Sequence, residues 1–218
     1  MTKSEVSPTQ RMLNIWAITL IVWSFYRATF HSTLPMWFDE FIAKPFVFLV
    51  PVYIFITKFK KASFFESLGF TKKHTMSDIL FGLGIGSFFV VMAMLVRVMK
   101  GGSLAIPELS SGMVLWISAS IAAAALEQIL STGFILNGFY KESRNIPQSL
   151  LISAILFSFL HVPALFGADK INGAVLMQTM VLNIILSLTT STAFLMKKNT
   201  MVPIIIHALY LLSLPILL

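Results

Sequence analysis

The chain has 218 residues, 57% of them hydrophobic and only 11% charged, with a mean hydropathy of +0.86. A soluble domain carries about a quarter of its residues as charges, so there is too little polar surface here to cover a globule in water. The net charge of +7 and the absence of cysteine set two further bounds: disulfide and thiolate chemistry are excluded, and a nucleic-acid partner is excluded by where the basic residues fall.

Seven apolar runs are long enough, at about 17 residues or more, to cross a hydrocarbon core ~30 Å thick. The first, Met12–Phe30, has no small-residue cleavage site after it and reads as a retained span, not a removed signal. Its Arg27 lies a turn from the outer end, where it would snorkel or pair with Asp39 or Glu40. The second, Phe41–Thr57, contains Lys44, Pro45 and Pro51, and Lys44 is near enough to the start to snorkel to the interface. Lys58 to Ser77 is the one sizeable stretch outside the spans. Its lysines, interleaved with Phe59, Phe64, Phe65 and Phe70, read as a topology signal, with contact to anionic headgroups as the alternative.

Ile79–Met99 follows, with Gly82, Gly84 and Gly86 inside it. A dinucleotide fingerprint would need a preceding strand and a phosphate-facing loop, so Gly82 and Gly86 are expected to let another helix approach closely. Lys100 to Ser111, with Gly101, Gly102 and Pro107, reads as a flexible external connection. The last four spans are Gly112–Tyr140, Ser149–Phe166, Ala174–Met196 and Met201–Leu218. Backbone polar groups in lipid must be satisfied within helices or closed barrels, and none of these runs alternates as a barrel strand does. The expected fold is an all-α polytopic transmembrane helical bundle of about seven spans, forming one domain over residues 1–218. No internal repeat is visible, which weighs against transporters built from duplicated halves.

The basic residues set an orientation. With the N-terminus in the cytoplasm, Lys3, Arg11, Lys58, Lys60, Lys61, Lys72, Lys73, Lys141, Arg144, Lys197 and Lys198 share its side, and only Lys44, Arg97, Lys100 and Lys170 fall opposite. That is the positive-inside bias. It implies a multi-pass protein of the cell membrane with its C-terminus outside and membrane lipids as its surroundings.

Ionisable groups inside spans are costly and mark function by default. Glu127 lies mid-run in Ala122–Gln128 with no basic residue within a turn, and His161 and His207 lie inside later spans. At 1.5 Å per residue they come out about 20, 18 and 10 Å from the cytoplasmic ends of their helices. With tilt, all three reach a common level, so three helices would each place one protonatable group there. Glu127 shares a face with Ser131 and Gln128 with Thr132; Ser158 precedes His161 and Tyr210 follows His207 by one turn. Asn183, Ser187, Thr190 and Ser191 stripe the sixth span. These hydroxyls are expected to bond backbone or a neighbouring helix.

The run Glu127-Gln128-Ile129-Leu130-Ser131-Thr132-Gly133, then Phe157-Ser158-Phe159-Leu160-His161, then His207-Ala208-Leu209-Tyr210-Leu211 resembles the CAAX-processing and bacteriocin-processing (CPBP, or Abi) intramembrane proteases. The family pattern is Glu-Glu-x-x-x-Arg, Phe-x-x-x-His and His-x-x-x-Asn on successive late helices, and the resemblance covers about Leu115 to Leu211. It implies Glu127 as general base, His161 as its water-positioning partner and His207 as an oxyanion donor, with Gln128, Thr132, Asn183 and Tyr210 in support. Three positions depart from the pattern: Gln128 replaces the second Glu, Thr132 the Arg and Leu211 the Asn. The first two are opposite charges one turn apart, so both vanish together and no orphan charge remains. Leu211 leaves the Asn role open, and losing one oxyanion donor costs on the order of 10²–10³ in rate; Asn183 or Tyr210 would have to substitute.

Glu with two His is also a catalytic zinc set. The three residues come from three helices without His-Glu-x-x-His spacing, and the resemblance implies a metal-free glutamate mechanism. No cofactor is expected, with zinc on Glu127, His161 and His207 as the alternative. The substrate implied is a hydrophobic or lipidated peptide. Two competing readings remain: a non-catalytic scaffold, regulator or bacteriocin-immunity protein of the same fold acting through a membrane partner, and a small transporter or proton pathway.

Overall fold

The computed structural model describes residues 7–30, 34–103, 110–167 and 172–217. The middle of the Lys100–Ser111 connection, Lys170 and the final residue of the last expected span lie outside them. Among the described residues there are helices and no strands. In chain order they are α1 (Pro8–Phe30), α2 (Asp39–Phe59, entered through a turn at Met36–Phe38), α3 (Phe64–Ser67), α4 (Thr75–Met99), α5 (Ser111–Ser143), α6 (Ile146–His161, continued by a 3-10 turn at Val162–Gly167), α7 (Gly173–Lys197) and α8 (Met201–Leu217). Each of the seven expected spans has its helix. Five of them, α2, α4, α5, α6 with its 3-10 turn, and α7, are both long and apolar enough to cross a membrane. The remaining two are α8, apolar but shorter, and α1, which has the length with 23 residues but less apolarity.

Local chemistry sets the helix starts. The Ser110 hydroxyl accepts from Met113 N–H, the Asn145 side chain from Gln148 N–H and the Asn172 side chain from Ala174 N–H. Each satisfies an N–H that has no partner within its helix. Arg144 and Lys198 close α5 and α7 in the left-handed conformation. Two helices are partly wound as π: α2 through most of its length, around Pro45 and Pro51, and α5 from Ile129 to Leu136. Proline lacks the N–H that α-winding needs, and wider turns of this kind often accompany functional sites.

The bundle buries many polar side chains beside its apolar core and turns apolar side chains outward. Gln128, Thr132, Ser153, Ser191 and His207 are buried, whereas Leu80, Phe88, Val91, Leu151 and Ile185 face outward. In lipid, close packing of small and hydrogen-bonding side chains replaces hydrophobic burial as the cohesive force between helices. The α4–α8 contact shows this most plainly. A Cβ at Gly82 would come within 3.1 Å of Ile205, and one at Gly86 within 2.5 Å of Leu209. These glycines are where α8 approaches, as the sequence indicates.

Several contacts gather the basic residues at one end. Thr9 bonds Glu142, Lys60 and Lys141 line a common cleft, Lys197 reaches Ser77, and the Lys198 ammonium sits 3.9 Å above the Tyr140 ring. Burial, Arg144 and Lys141 together push the Lys198 ammonium below the usual lysine value. The stretch from Lys58 to Ser77 does not hang free at this end. Leu68 is fully buried, Gly133 allows its carbonyl close approach, and Thr200 donates from its N–H to Gly69 O at 3.1 Å and from its hydroxyl to Leu68 O. Segment 63–70 therefore covers the start of α8, where Asn199, Thr200 and Val202 have no exposed surface.

Replacing Gly86 by Val should cost about 1–3 kcal/mol through overpacking against Leu209. Gly84→Val, where a Cβ meets nothing within 4 Å, should be silent. Thermal unfolding in detergent reads both, and Leu209→Ala should recover part of the Gly86→Val loss.

Candidate active site

Glu127 is the central residue of α5 and is 7% exposed. His161 ends α6, and His207 lies two turns into α8 with no exposed surface. By rise alone His207 is only about 9 Å along its helix. It reaches the level of the other two because α8 begins beneath segment 63–70, already inside the bundle. Glu127 Oε2 is 3.2 Å from His161 Nε2 and 3.7 Å from His207 Nε2. One ligand atom from each of the three residues falls within 4.8 Å of the others. Glu127 Oε2 and His207 Nε2 are buried without a hydrogen-bond partner. A water molecule lying to one side of the three atoms would reach all of them.

The Phe157–His161 spacing has a physical role. Phe157 is one α-helical turn before His161, and its carbonyl accepts from His161 Nδ1–H at 3.1 Å. The Phe157 ring packs at 4.6 Å from the His161 ring and edge-on at 5.6 Å from the His207 ring. One buried aromatic thus orients both imidazoles. With Nδ1 carrying a proton, a neutral His161 presents a lone pair to Glu127. The two groups lie within ion-pair distance, 3.2 Å apart.

His207 is set the opposite way. The Gln128 amide nitrogen is 3.1 Å from His207 Nδ1 and can only donate. Nδ1 accepts, so the ring proton sits on Nε2, aimed at the shared space. Gln128 is fully buried and thereby fixes a tautomer. Its own backbone carbonyl accepts from the Thr132 hydroxyl at 2.8 Å, so the Gln128–Thr132 link runs through the backbone and the amide is left for His207.

Asn183 and Tyr210 fare differently. The Asn183 amide donates to Thr179 O on its own helix at 2.9 Å, and no contact joins it to the three. The Tyr210 ring is 6.2 Å from the His207 ring and stacks edge-on against Phe89. Among the hydroxyls, Thr190 and Ser158 bond backbone carbonyls as expected, but Ser131, Ser187 and Ser191 are buried without partners.

Lys44 requires a correction. The sequence reading starts its span at Phe41 and lets the lysine snorkel outward. The helical winding instead begins at Met36, which puts Lys44 more than two turns in, about 12 Å along. The lysine is 8% exposed, with Nζ 2.7 Å from Glu40 and 2.9 Å from Glu127 Oε1. Glu40, one turn before Lys44 on the same helix, was the signal available for its pairing. Arg27 does pair with Asp39, at 2.5 Å, and Tyr26 donates to the same carboxylate.

Against known families, residues 109–212 match the family model described as Type II CAAX prenyl endopeptidase Rce1-like. Comparison with curated proteins finds no match. The matched region contains Glu127, His161 and His207 and excludes Lys44.

Changing Gln128 to Glu should reverse the His207 tautomer. A carboxylate only accepts, so Nδ1 would have to carry a proton. Nitrogen-15 NMR of histidine-labelled protein in detergent should show His207 as the Nε2–H form in the unchanged chain and with a protonated Nδ1 in the variant.

Proposed function

We propose that this chain, which carries an Rce1-like type II CAAX prenyl endopeptidase domain at residues 109–212, consistent with the CPBP family, is an intramembrane endopeptidase that uses Glu127 as its general base. The observation that carries the reading is the convergence of Glu127 Oε2 with the Nε2 atoms of His161 and His207, three helices meeting in one buried polar space. In this scheme water sits against Glu127 Oε2 and His161. Glu127 takes its proton as the oxygen attacks the scissile carbonyl carbon. His207 Nε2–H donates to the oxyanion that forms, and Glu127 returns the proton to the leaving amine as the C–N bond breaks. The substrate is a hydrophobic or lipidated peptide able to enter a site within the membrane. The end of the bundle that gathers the lysines faces the cytoplasm.

Two features favour a metal-free mechanism over zinc. A zinc-bound imidazole passes its second N–H to an acceptor, whereas His207 Nδ1 meets the Gln128 donor. The other oxygen of Glu127 is already held by the Lys44 ammonium.

A second reading has Leu211 in its favour: no side-chain donor stands where the family places Asn. In that case the chain keeps the fold and acts by binding a membrane partner, as a regulator or immunity protein. Purified protein given farnesylated and unlipidated hydrophobic peptides separates the two. Cleavage is expected to fall about 10²–10⁴-fold in Glu127→Ala and to be unaffected by chelators. Cleavage that survives Glu127→Ala removes Glu127 from the mechanism. A cellular phenotype that survives both Glu127→Ala and His161→Ala makes binding the function.

A further inference from the structure

The cation of the site comes from outside the region that matches the family. The family pattern places an Arg on the same helix as its glutamates, and this chain has Thr132 there, buried and bonded to backbone. Lys44 crosses from α2 to fill the electrostatic gap. Among the described residues it is the lysine or arginine within ion-pair distance of Glu127. Its ammonium is held by Glu40 one turn earlier and lies 5.8 Å from the Trp23 ring of α1.

The ionisable groups facing this space fall into two sets. Arg27 and Asp39 close a pair of their own, to which Tyr26 donates. Glu40, Lys44 and an ionised Glu127 leave one net negative charge. The imidazole of His161, 3.2 Å from Oε2, is the neighbour placed to offset it. His207, with Nδ1 accepting from Gln128, is neutral. A buried lysine is a poor choice for stability alone, since apolar side chains of similar volume usually serve as well or better. Its geometry offers a different use. A carboxylate has two equivalent oxygens, and Lys44 takes Oε1, leaving Oε2 as the one turned to both imidazoles.

We propose that Lys44 is a positioning residue of the site: by holding Glu127 through Oε1 it fixes Oε2 against His161, His207 and the attacking water, and it supplies the positive charge that Thr132 does not. The effect on cleavage rests on the peptidase reading above. The coupling between Lys44 and Glu127 does not.

The full chain in detergent tests both parts. Lys44→Met should lower kcat about 100-fold, the scale of loss expected from a misplaced reacting group, and leave KM within about threefold. Lys44→Arg, which keeps the charge, should recover most of the rate. Unfolding midpoints give a second measurement independent of activity. Lys44→Met should lower the midpoint by about 6–20 °C in the unchanged chain, where it strands two carboxylates. The same change should raise the midpoint in the Glu40→Gln/Glu127→Gln chain, where the ammonium is the orphan. An unchanged kcat in Lys44→Met, or equal shifts in the two backgrounds, overturns the proposal. If the unchanged chain cleaves no peptide but the midpoint shift reverses sign, the peptidase reading falls and the hold of Lys44 on Glu127 stands.

Discussion

A carboxylate cannot stay ionised in a bundle surrounded by hydrocarbon unless charge of the opposite sign is brought to it. Glu127 sits at the centre of the longest helix and is almost wholly buried. Everything around it answers that constraint. Lys44 reaches over from α2, His161 stands within ion-pair distance, and Glu40 and Trp23 hold the lysine in place. Breaking a buried pair of this kind by removing one partner costs about 3–5 kcal/mol, comparable with a large part of a domain's stability. The first two helices are therefore tied to the later ones through the same atoms that would do chemistry.

Gln128 and Thr132 take on a concrete meaning in this light. Gln128 is a buried donor that decides which nitrogen of His207 carries the proton. Thr132 satisfies itself on the Gln128 carbonyl and makes no claim on the amide. A Glu at 128 would have required a cation nearby and would have imposed the opposite tautomer. The pair of neutral residues leaves His207 a hydrogen-bond donor toward Glu127 and hands the task of charge balance to another helix.

Much of this was legible in the sequence. Apolar run length gave the helices, and Glu127, His161 and His207 stood out because nothing in their runs excuses a titratable group. Gly82 and Gly86 pointed to a close helix contact, and the fold supplies α8 as the partner. Lys44 was missed for a physical reason. Local sequence gives its distance from the apparent start of an apolar run, and the helical turns at Met36–Phe38 and Asp39–Ala43 begin before that start. Its partner lies 83 residues away, beyond anything periodicity can report. Of the two candidates for the Asn role, Tyr210 stands one turn after His207 in sequence as in the fold, whereas the bond that holds Asn183 to its own helix could not be read from spacing.

The covering of α8 by Leu68 and Gly69 carries a consequence of its own. Thr200 stitches that cover in place, and beneath it Asn199, Val202, Gln128 and His207 have no surface to lose. His161 keeps about a fifth of its side chain open, 21%, at the far end of α6. Among the described residues the site is thus closed on the side that Leu68 and Gly69 cover and most open beside His161, so a mutation that loosens the cover would wet a face of the bundle that is now dry.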